Sequence, residues 1–509
     1  MGLRKKYAEN ARHAQEVLAR VVGVLWGFEH RIREIVVSSQ GMNPVSSAEL
    51  WQRERLFLQA ARKANPDAFF RAEPVGQDET FPYIGIKGLP ENRPHAYLRL
   101  YPQDFMVEEV SLQGNVSRIT EHPTFQDNED HRALWVQMVK ANIMHFDALK
   151  DLAKGLGITP EAVGHAGIKD AIAITSQEIS LRGVEREDVD LFQHNRVLVY
   201  PSRYGNGTML PGQLKGNRFT LVVRTGEERN IPEITERLNQ PFWNFFGPQR
   251  FGSRVLSHKL GQAILQGDAN RCLRLFFTEV GVHDLPYYRD IRKELGRVYG
   301  DWTAMDKICE SLPHTFSFER EVLAQLKINP QKTRMALGAI RDQVKFWVHA
   351  YGSWLMNETL SDLLQRGGTP PTTIPLPFSS NGPADIYRAR MERDGTLNYR
   401  DAFAQYPYLS LNDKSLTTQL RPTDVRVQAI PQGCIVRFSL DKGAYATTCL
   451  SHAFRIVEGL PVPSWVMDGQ IDSFAELGEP SLAAMLPYIE DEALKRRDLY
   501  LNDDEGAEA

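Results

Sequence analysis

An α+β fold is what this sequence predicts, with strands and helices occupying separate stretches of the chain. Three observations carry that expectation. β-rich runs dominate residues 83–254. Helix-spaced apolar residues dominate 255–420, and strand composition returns over 421–490. A helical segment, 1–82, precedes these, and an acidic tail, 491–509, follows them.

In the first segment, Val17, Leu18, Val21, Val22, Leu25 and Phe28 recur at helical spacing. A second helix over Ser47 to Ala64 carries Leu50, Trp51, Leu56 and Leu58, and Asn65-Pro66-Asp67 breaks it. This segment holds no chemistry-bearing constellation and reads as an N-terminal extension. Composition turns towards β at Tyr83-Ile84-Gly85-Ile86-Lys87. Tyr97 to Glu109 contains a strand with Phe105 towards the core, and Ala133 to Lys140 is another. Phe146, Leu149, Leu152 and Leu156 predict a helix closed by glycine, and Ile174 to Leu181 predicts a strand. Leu214 to Leu221 enters a strand through a tight Lys215-Gly216-Asn217 turn. Helices follow over Leu260 to Leu265, Met305 to Leu312, Phe318 to Leu326 and Phe346 to Leu364, with loops at 367–371 and 379–383. Val436 to Leu440 returns to strand.

With 509 residues the chain has length for two or three domains with substantial cores. Hydrophobic residues at 42% and charged ones at 24% describe an ordinary soluble protein. No apolar run approaches a membrane span, and the basic start, Met1 to Lys6, leads into polar residues rather than a secretory core. The cysteines, Cys272, Cys309, Cys434 and Cys449, show no metal-ligand spacing and suggest a reducing cytoplasm. A net charge of −4 leans mildly against nucleic acid, but phosphate contacts need only a local basic face.

Two stretches carry chemistry. The first runs from His165 to Gln177, where Gly167 frees a turn that presents Lys169 beside Asp170. A carboxylate on such a turn is a candidate nucleophile or base, and a neighbouring ammonium favours its charged form. The same letters also describe a solvated turn. The second is Asn244-Phe245-Phe246-Gly247-Pro248-Gln249-Arg250-Phe251-Gly252. Aromatics beside Arg and Gln suit a site that stacks a base and hydrogen-bonds its edge or phosphate. His349, on an aromatic helix, reads as structural.

Ala166-Gly167-Ile168-Lys169-Asp170, followed by Ala173, Thr175 and Gln177, resembles the signature of the TruD family of pseudouridine synthases. Further motifs resemble that family in the expected order from about residue 84 to 460: Pro102 to Glu109, Lys215 to Phe219, Asn244 to Gly252, His349 to Ser353 and Phe438 to Thr447. The resemblance implies a pseudouridine synthase fold, a central mixed, mostly antiparallel sheet flanked by helices. That domain would comprise 83–254 and 421–490, interrupted by a largely helical inserted TRUD domain over 255–420. It implies that Asp170 is the catalytic residue, that Phe105 and Tyr445 lie at the uridine site and that Arg99 fills a basic slot near the acid. Asn244 becomes a substrate contact, Phe246 takes the place where other synthase families carry Tyr, and Lys169, Gln249 and Arg250 complete the substrate-binding set. Departures from the family pattern are Ile168, the pair Ala171-Ile172 for a commonly basic pair, Gly352 for Gln, Asp441, Ala444 and Ser451-His452.

The implied reaction breaks the N1–C1′ bond of a uridine, turns the base and rejoins it through C5. It needs no redox change, so no cofactor and no metal are expected. The implied partner is tRNA, typically at uridine 13, met by a cytoplasmic monomer with no membrane association. The alternative is a catalytically reduced relative that binds RNA as a tRNA folding factor, which the pairs Ala171-Ile172 and Ser451-His452 motivate.

Overall fold

The strand that organises the sheet is Gly216–Thr225, whose sequence GNRFTLVVRT is rich in β-branched and aromatic residues. Along it Phe219, Leu221 and Val223 point to one face of the sheet and belong to one apolar cluster, whereas Val222 points to the other. A strand buried on both faces can accept neighbours on both edges, and this one does.

We describe the chain from a computed structural model, which covers residues 47–496 apart from 72, 128–131, 206 and 227–228. The expected helix from Val17 to Phe28 and most of the acidic tail lie outside the described residues. Contacts divide the chain into two compact units. One comprises residues 1–64 and 309–317. Its helix α1 (Ser47–Ala64) has the ends expected from sequence, and the buried Glu54 accepts hydrogen bonds from the His314 and Thr315 amides at 2.7 and 3.1 Å.

The other unit comprises 65–308 and 318–509 and contains an eleven-stranded sheet. Its strands are β1 (Val75–Gly76), β2 (His95–Tyr97), β3 (Phe105–Val110), β4 (Ala133–Ala141), β5 (Val163–His165), β6 (Ile174–Leu181), β7 (Val197–Gly205), β8 (Gly216–Thr225), β9 (Thr423–Ile430), β10 (Gly433–Asp441) and β11 (Arg455–Glu458). The order is β1-β11-β2-β8-β3-β6-β4-β7, with β10 and then β9 added on β8 and β5 added on β6. Only β11–β2 and β3–β6 are parallel among these pairs, so the sheet is mixed and mostly antiparallel, as expected.

Alternation on β3 decides the two faces. Phe105 and Val107 enter a cluster with Leu221, Val436, Phe438 and the helix α4 residues Ala446, Cys449 and Leu450, where α4 is Ala446–Ser451. Met106 enters a cluster on the opposite face with Val139, Ile174 and Phe474. Helix α2 (His145–Gly155) packs Ala148, Leu149 and Leu152 on β4 and β6. Between β8 and β9 the chain is mostly helical, and its longest helix, α3 (Arg341–Gln365), runs for 25 residues.

One detail of the sheet differs from the sequence reading. Lys215-Gly216-Asn217 is not a hairpin turn but the entry of β8, where Gly216 is paired with Asp441 on one side and Val110 on the other. A Cβ at Gly216 would stand 2.0 Å from the Leu440 carbonyl oxygen, so glycine is required by close strand approach rather than by turning. Asp104 and Arg224 form a bidentate ion pair with both N···O distances 2.8 Å and both side chains fully buried. Arg224 spends its other donors on the carbonyls of Met467 and Gly469 at 2.8 and 2.9 Å, so the charge is fully engaged. Among the described residues no helix is long and apolar enough to cross a membrane.

Candidate active site

Residues 166–173 form the loop of a hairpin between β5 and β6. The loop is pinned from several sides. The Ala166 carbonyl accepts from the Gly212 amide at 2.7 Å, the Gly167 carbonyl from the Gln177 side chain at 3.3 Å and the Ala173 carbonyl from the Asn142 amide at 3.0 Å. Lys140, at the end of β4, is fully buried and donates through Nζ to the carbonyls of Ile143 (2.9 Å) and Asp170.

At the tip of this loop the Asp170 side chain is about one-third exposed (31%), and its Oδ1 accepts from Arg99 Nη2 at 3.1 Å. Arg99 Nη1 lies 3.1 Å from each carboxylate oxygen of Glu458, at the end of β11. The guanidinium also lies over the Phe105 ring, 3.9 Å from its centroid. Arg99 holds a left-handed backbone (φ 61°), a conformation uncommon for a long side chain and costing about 1–3 kcal/mol. The reward is a cation fixed between two carboxylates and one aromatic face. Asp170, Arg99 and Phe105 are thus brought together.

Lys169 lies elsewhere than expected. Its ammonium is buried and bonds Glu109 Oε2 at 2.5 Å and Asn217 Oδ1 at 2.9 Å, rather than flanking the Asp170 carboxylate. A buried ammonium needs such partners, and Glu109 is the nearest carboxylate on the Phe105 face of β3. One cation therefore ties the hairpin loop to β3 and β8. The rim of the loop is apolar: Ile168 and Ile172 are exposed, the latter within the pair that departs from a basic family pattern, as are Met144 and Phe146 at the start of α2.

The second expected stretch packs on α4. Phe246 lies 6.2 Å from the Tyr445 ring, centroid to centroid, and Arg250 lies 5.8 Å from Phe246. Tyr445 stands at the N-terminal boundary of α4 without a side-chain capping bond and is half-buried. Asn244 is drawn aside: its side-chain NH2 donates one hydrogen to the Thr417 carbonyl at 2.9 Å, leaving the other hydrogen and the oxygen for a ligand. Gln249 is exposed. Phe105 and the α4 residues Ala446, Cys449 and Leu450 share one apolar cluster, and Tyr445 directly precedes α4.

Three contributors escaped the sequence reading. Glu458 is separated from Arg99 by 359 residues and lies in an unremarked strand. Lys140 was legible as a strand end that matches the family pattern, but its bond to the Asp170 carbonyl was not. Asn357 of α3 donates to the carbonyls of Ile84 and Phe246 at 2.9 Å and accepts from the Phe246 amide at 2.8 Å, so it staples the aromatic loop. Its signal was a buried amide at an apolar helix position. Among the described residues no three His, Cys, Asp or Glu side chains cluster as metal ligands would.

Burial lowers the Lys140 ammonium from an ordinary 10.5 to about 8, against the pull of Asp170 and with a push from Lys169. The folded chain thus holds this proton less tightly than the unfolded chain. Folding stability gains as pH rises from about 8 to 10.5, while the charge beside Asp170 is lost over the same rise. We expect kcat/KM to fall above pH about 8 and Lys140→Arg, which stays charged, to lack that limb. An identical alkaline limb in both proteins would remove Lys140 from it.

The family model described as tRNA pseudouridine synthase D (TruD) matches residues 92–375. A Methanopyrus kandleri protein named "Probable tRNA pseudouridine synthase D" is 28% identical over 352 residues, covering 64% of this chain and 86% of that one. The tRNA pseudouridine synthase D of Geotalea daltonii is 26% identical over 397 residues, covering 70% and 95% respectively. The crystal structure of a Methanosarcina mazei protein assigned to TruD aligns with a TM-score of 0.57 at 20% identity, covering 74% of this chain and 98% of that one. At that identity the likeness concerns the fold.

Proposed function

The chain belongs to the tRNA pseudouridine synthase D (TruD) family, and from that premise we propose that it is an isomerase converting a uridine of tRNA to pseudouridine, with uridine 13 as the target. The observation that carries the reading is the Asp170 carboxylate, presented part-exposed at a loop tip and oriented by Arg99 over the Phe105 ring.

For C1′ to be reached, the uridine must leave its stack. Phe246 and Tyr445 are the part-exposed aromatic surfaces offered to the extruded base, Phe105 being buried under the Arg99 guanidinium, with Asn244, Gln249 and Arg250 as polar contacts. Departure of the base leaves cationic character at C1′, which the Asp170 carboxylate stabilises or traps, as paired carboxylates do in glycoside hydrolysis. Arg99 aims that carboxylate through Nη2, and Glu458 holds the other end of the guanidinium through Nη1. Lys169 acts as a positioning residue rather than a substrate contact. The buried free thiols of Cys272, Cys434 and Cys449 fit a cytoplasmic setting.

The test is to incubate purified protein with total tRNA, without added metal or nucleotide, and to map pseudouridine by position. One new pseudouridine at position 13 is expected. Tight tRNA binding with no new pseudouridine would favour the folding-factor reading instead.

A further inference from the structure

Between the Asn244–Gly252 loop and α3 lies a cavity of about 170 Å3, which borders the expected uridine site through Phe246 and Arg250. It far exceeds the roughly 10–15 Å3 that one water needs and falls below the roughly 300–1,000 Å3 of sites for whole small-molecule ligands. One flat ring is the size it suits. Its apolar lining includes Phe246, Met356 and Phe378, and its polar groups include Arg250, Ser353 and Asn412. Arg250 commits Nε to Ser353 Oγ at 3.2 Å, and among the described residues its terminal nitrogens have no hydrogen-bond partner. Asn412 accepts from the Lys414 amide at 3.1 Å through Oδ1, and its NH2 is uncommitted among the described residues.

Gly352 keeps this space open. It sits in the interior of α3, where glycine is disfavoured relative to alanine. A Cβ there would come within 3.0 Å of the Phe378 ring, and a longer side chain would have to enter the cavity. Phe246 belongs both to the cavity and, through its 6.2 Å contact with Tyr445, to the expected uridine site. An aromatic and guanidinium lining with unspent amide donors is the chemistry that recognises an unstacked base.

We propose that this cavity is a second base-binding subsite, which takes one unpaired nucleobase of the substrate RNA from a position close to the target uridine. The inference rests on the reading of the chain as a tRNA pseudouridine synthase. A paired base cannot enter a cavity of this size, so the subsite selects RNA in which two nearby bases are free to turn out.

The test uses full-length protein and tRNA transcripts that each carry one abasic nucleotide within a few positions of the target uridine. With the wild type, one abasic position should raise KM at least about fivefold, the worth of one stacked base. Gly352→Gln, which fills the cavity, should show that raised KM with intact tRNA and no further penalty at the same abasic position. Asn412→Ala leaves the space open and should show the same non-additivity to a smaller extent, with an unchanged melting temperature. It carries the test if Gly352→Gln does not fold. Equal abasic penalties in wild type and variants at every position would overturn the subsite. A wild type that forms no pseudouridine on any intact tRNA overturns the underlying reading, and the subsite with it.

Discussion

Asp170→Asn should form no detectable pseudouridine while binding tRNA nearly as well as the wild type. Asn is nearly isosteric with Asp, and its carbonyl can still accept from Arg99 Nη2, so the loop held by Lys140, Gln177 and Gly212 should keep its shape. What is lost is the negative charge and the nucleophilicity at a single part-exposed group. Affinity is expected to survive because phosphate contacts dominate RNA binding, and it should fall steeply with salt in both proteins. The pair of measurements is single-turnover pseudouridine yield and binding by filter retention across a salt series. Residual turnover in the variant would take Asp170 out of the mechanism.

Arg224→Met should lower stability by about 3–5 kcal/mol, because it leaves the Asp104 carboxylate buried without its partner. Burial already pushes Asp104 above the ordinary carboxylate range, with Arg224 opposing it. Without the guanidinium that shift must grow. A carboxyl whose folded pKa is raised contributes its stability below that pKa and loses it as pH rises, so the variant's deficit should shrink in acid. The double variant Asp104→Leu/Arg224→Met removes both charges and should recover most of the loss. Denaturant midpoints at pH 5 and pH 8 decide this. A single variant as stable as the wild type, or a double variant worse than the single, would show that the pair is not the anchor proposed.

Local structure was legible where one period ran long enough to read. Ile174–Leu181 and Ser47–Ala64 have the ends that their apolar patterns announce, and α3 encloses the expected Phe346 to Leu364. β5 was missed because three residues, Val163–His165, carry no period. The entry of β8 was misread because glycine serves a tight turn and a close strand approach alike, and only the neighbouring Leu440 carbonyl distinguishes them. Within the site, Asp170 was legible from its surrounding motif. The company it keeps was not. Adjacency in sequence put Lys169 beside Asp170, whereas successive side chains on an extended loop diverge, and Lys169 found Glu109 and Asn217 instead. Arg99 and Glu458 meet only because β11 lies parallel to β2, a pairing that no short window of sequence contains.

That parallel pairing bears on how the protein is made. Chains emerge from the ribosome N-terminus first, at about 5–20 residues per second. Arg99, Phe105 and Asp170 are synthesised early, yet β10 and β11, which complete the edges of β8 and β2, follow only after residue 432. Until then β8, with its apolar Phe219, Leu221 and Val223 face, has an open edge of unpaired amides and carbonyls, the kind of edge that recruits other chains. The nascent protein therefore spends the synthesis of some two hundred residues, mostly helical, holding an unfinished sheet, roughly 10–40 seconds at that rate. The Glu458 carboxylate that steadies Arg99 is among the last parts to arrive. A translation pause within the helical stretch should cost yield of soluble enzyme rather than activity per folded molecule.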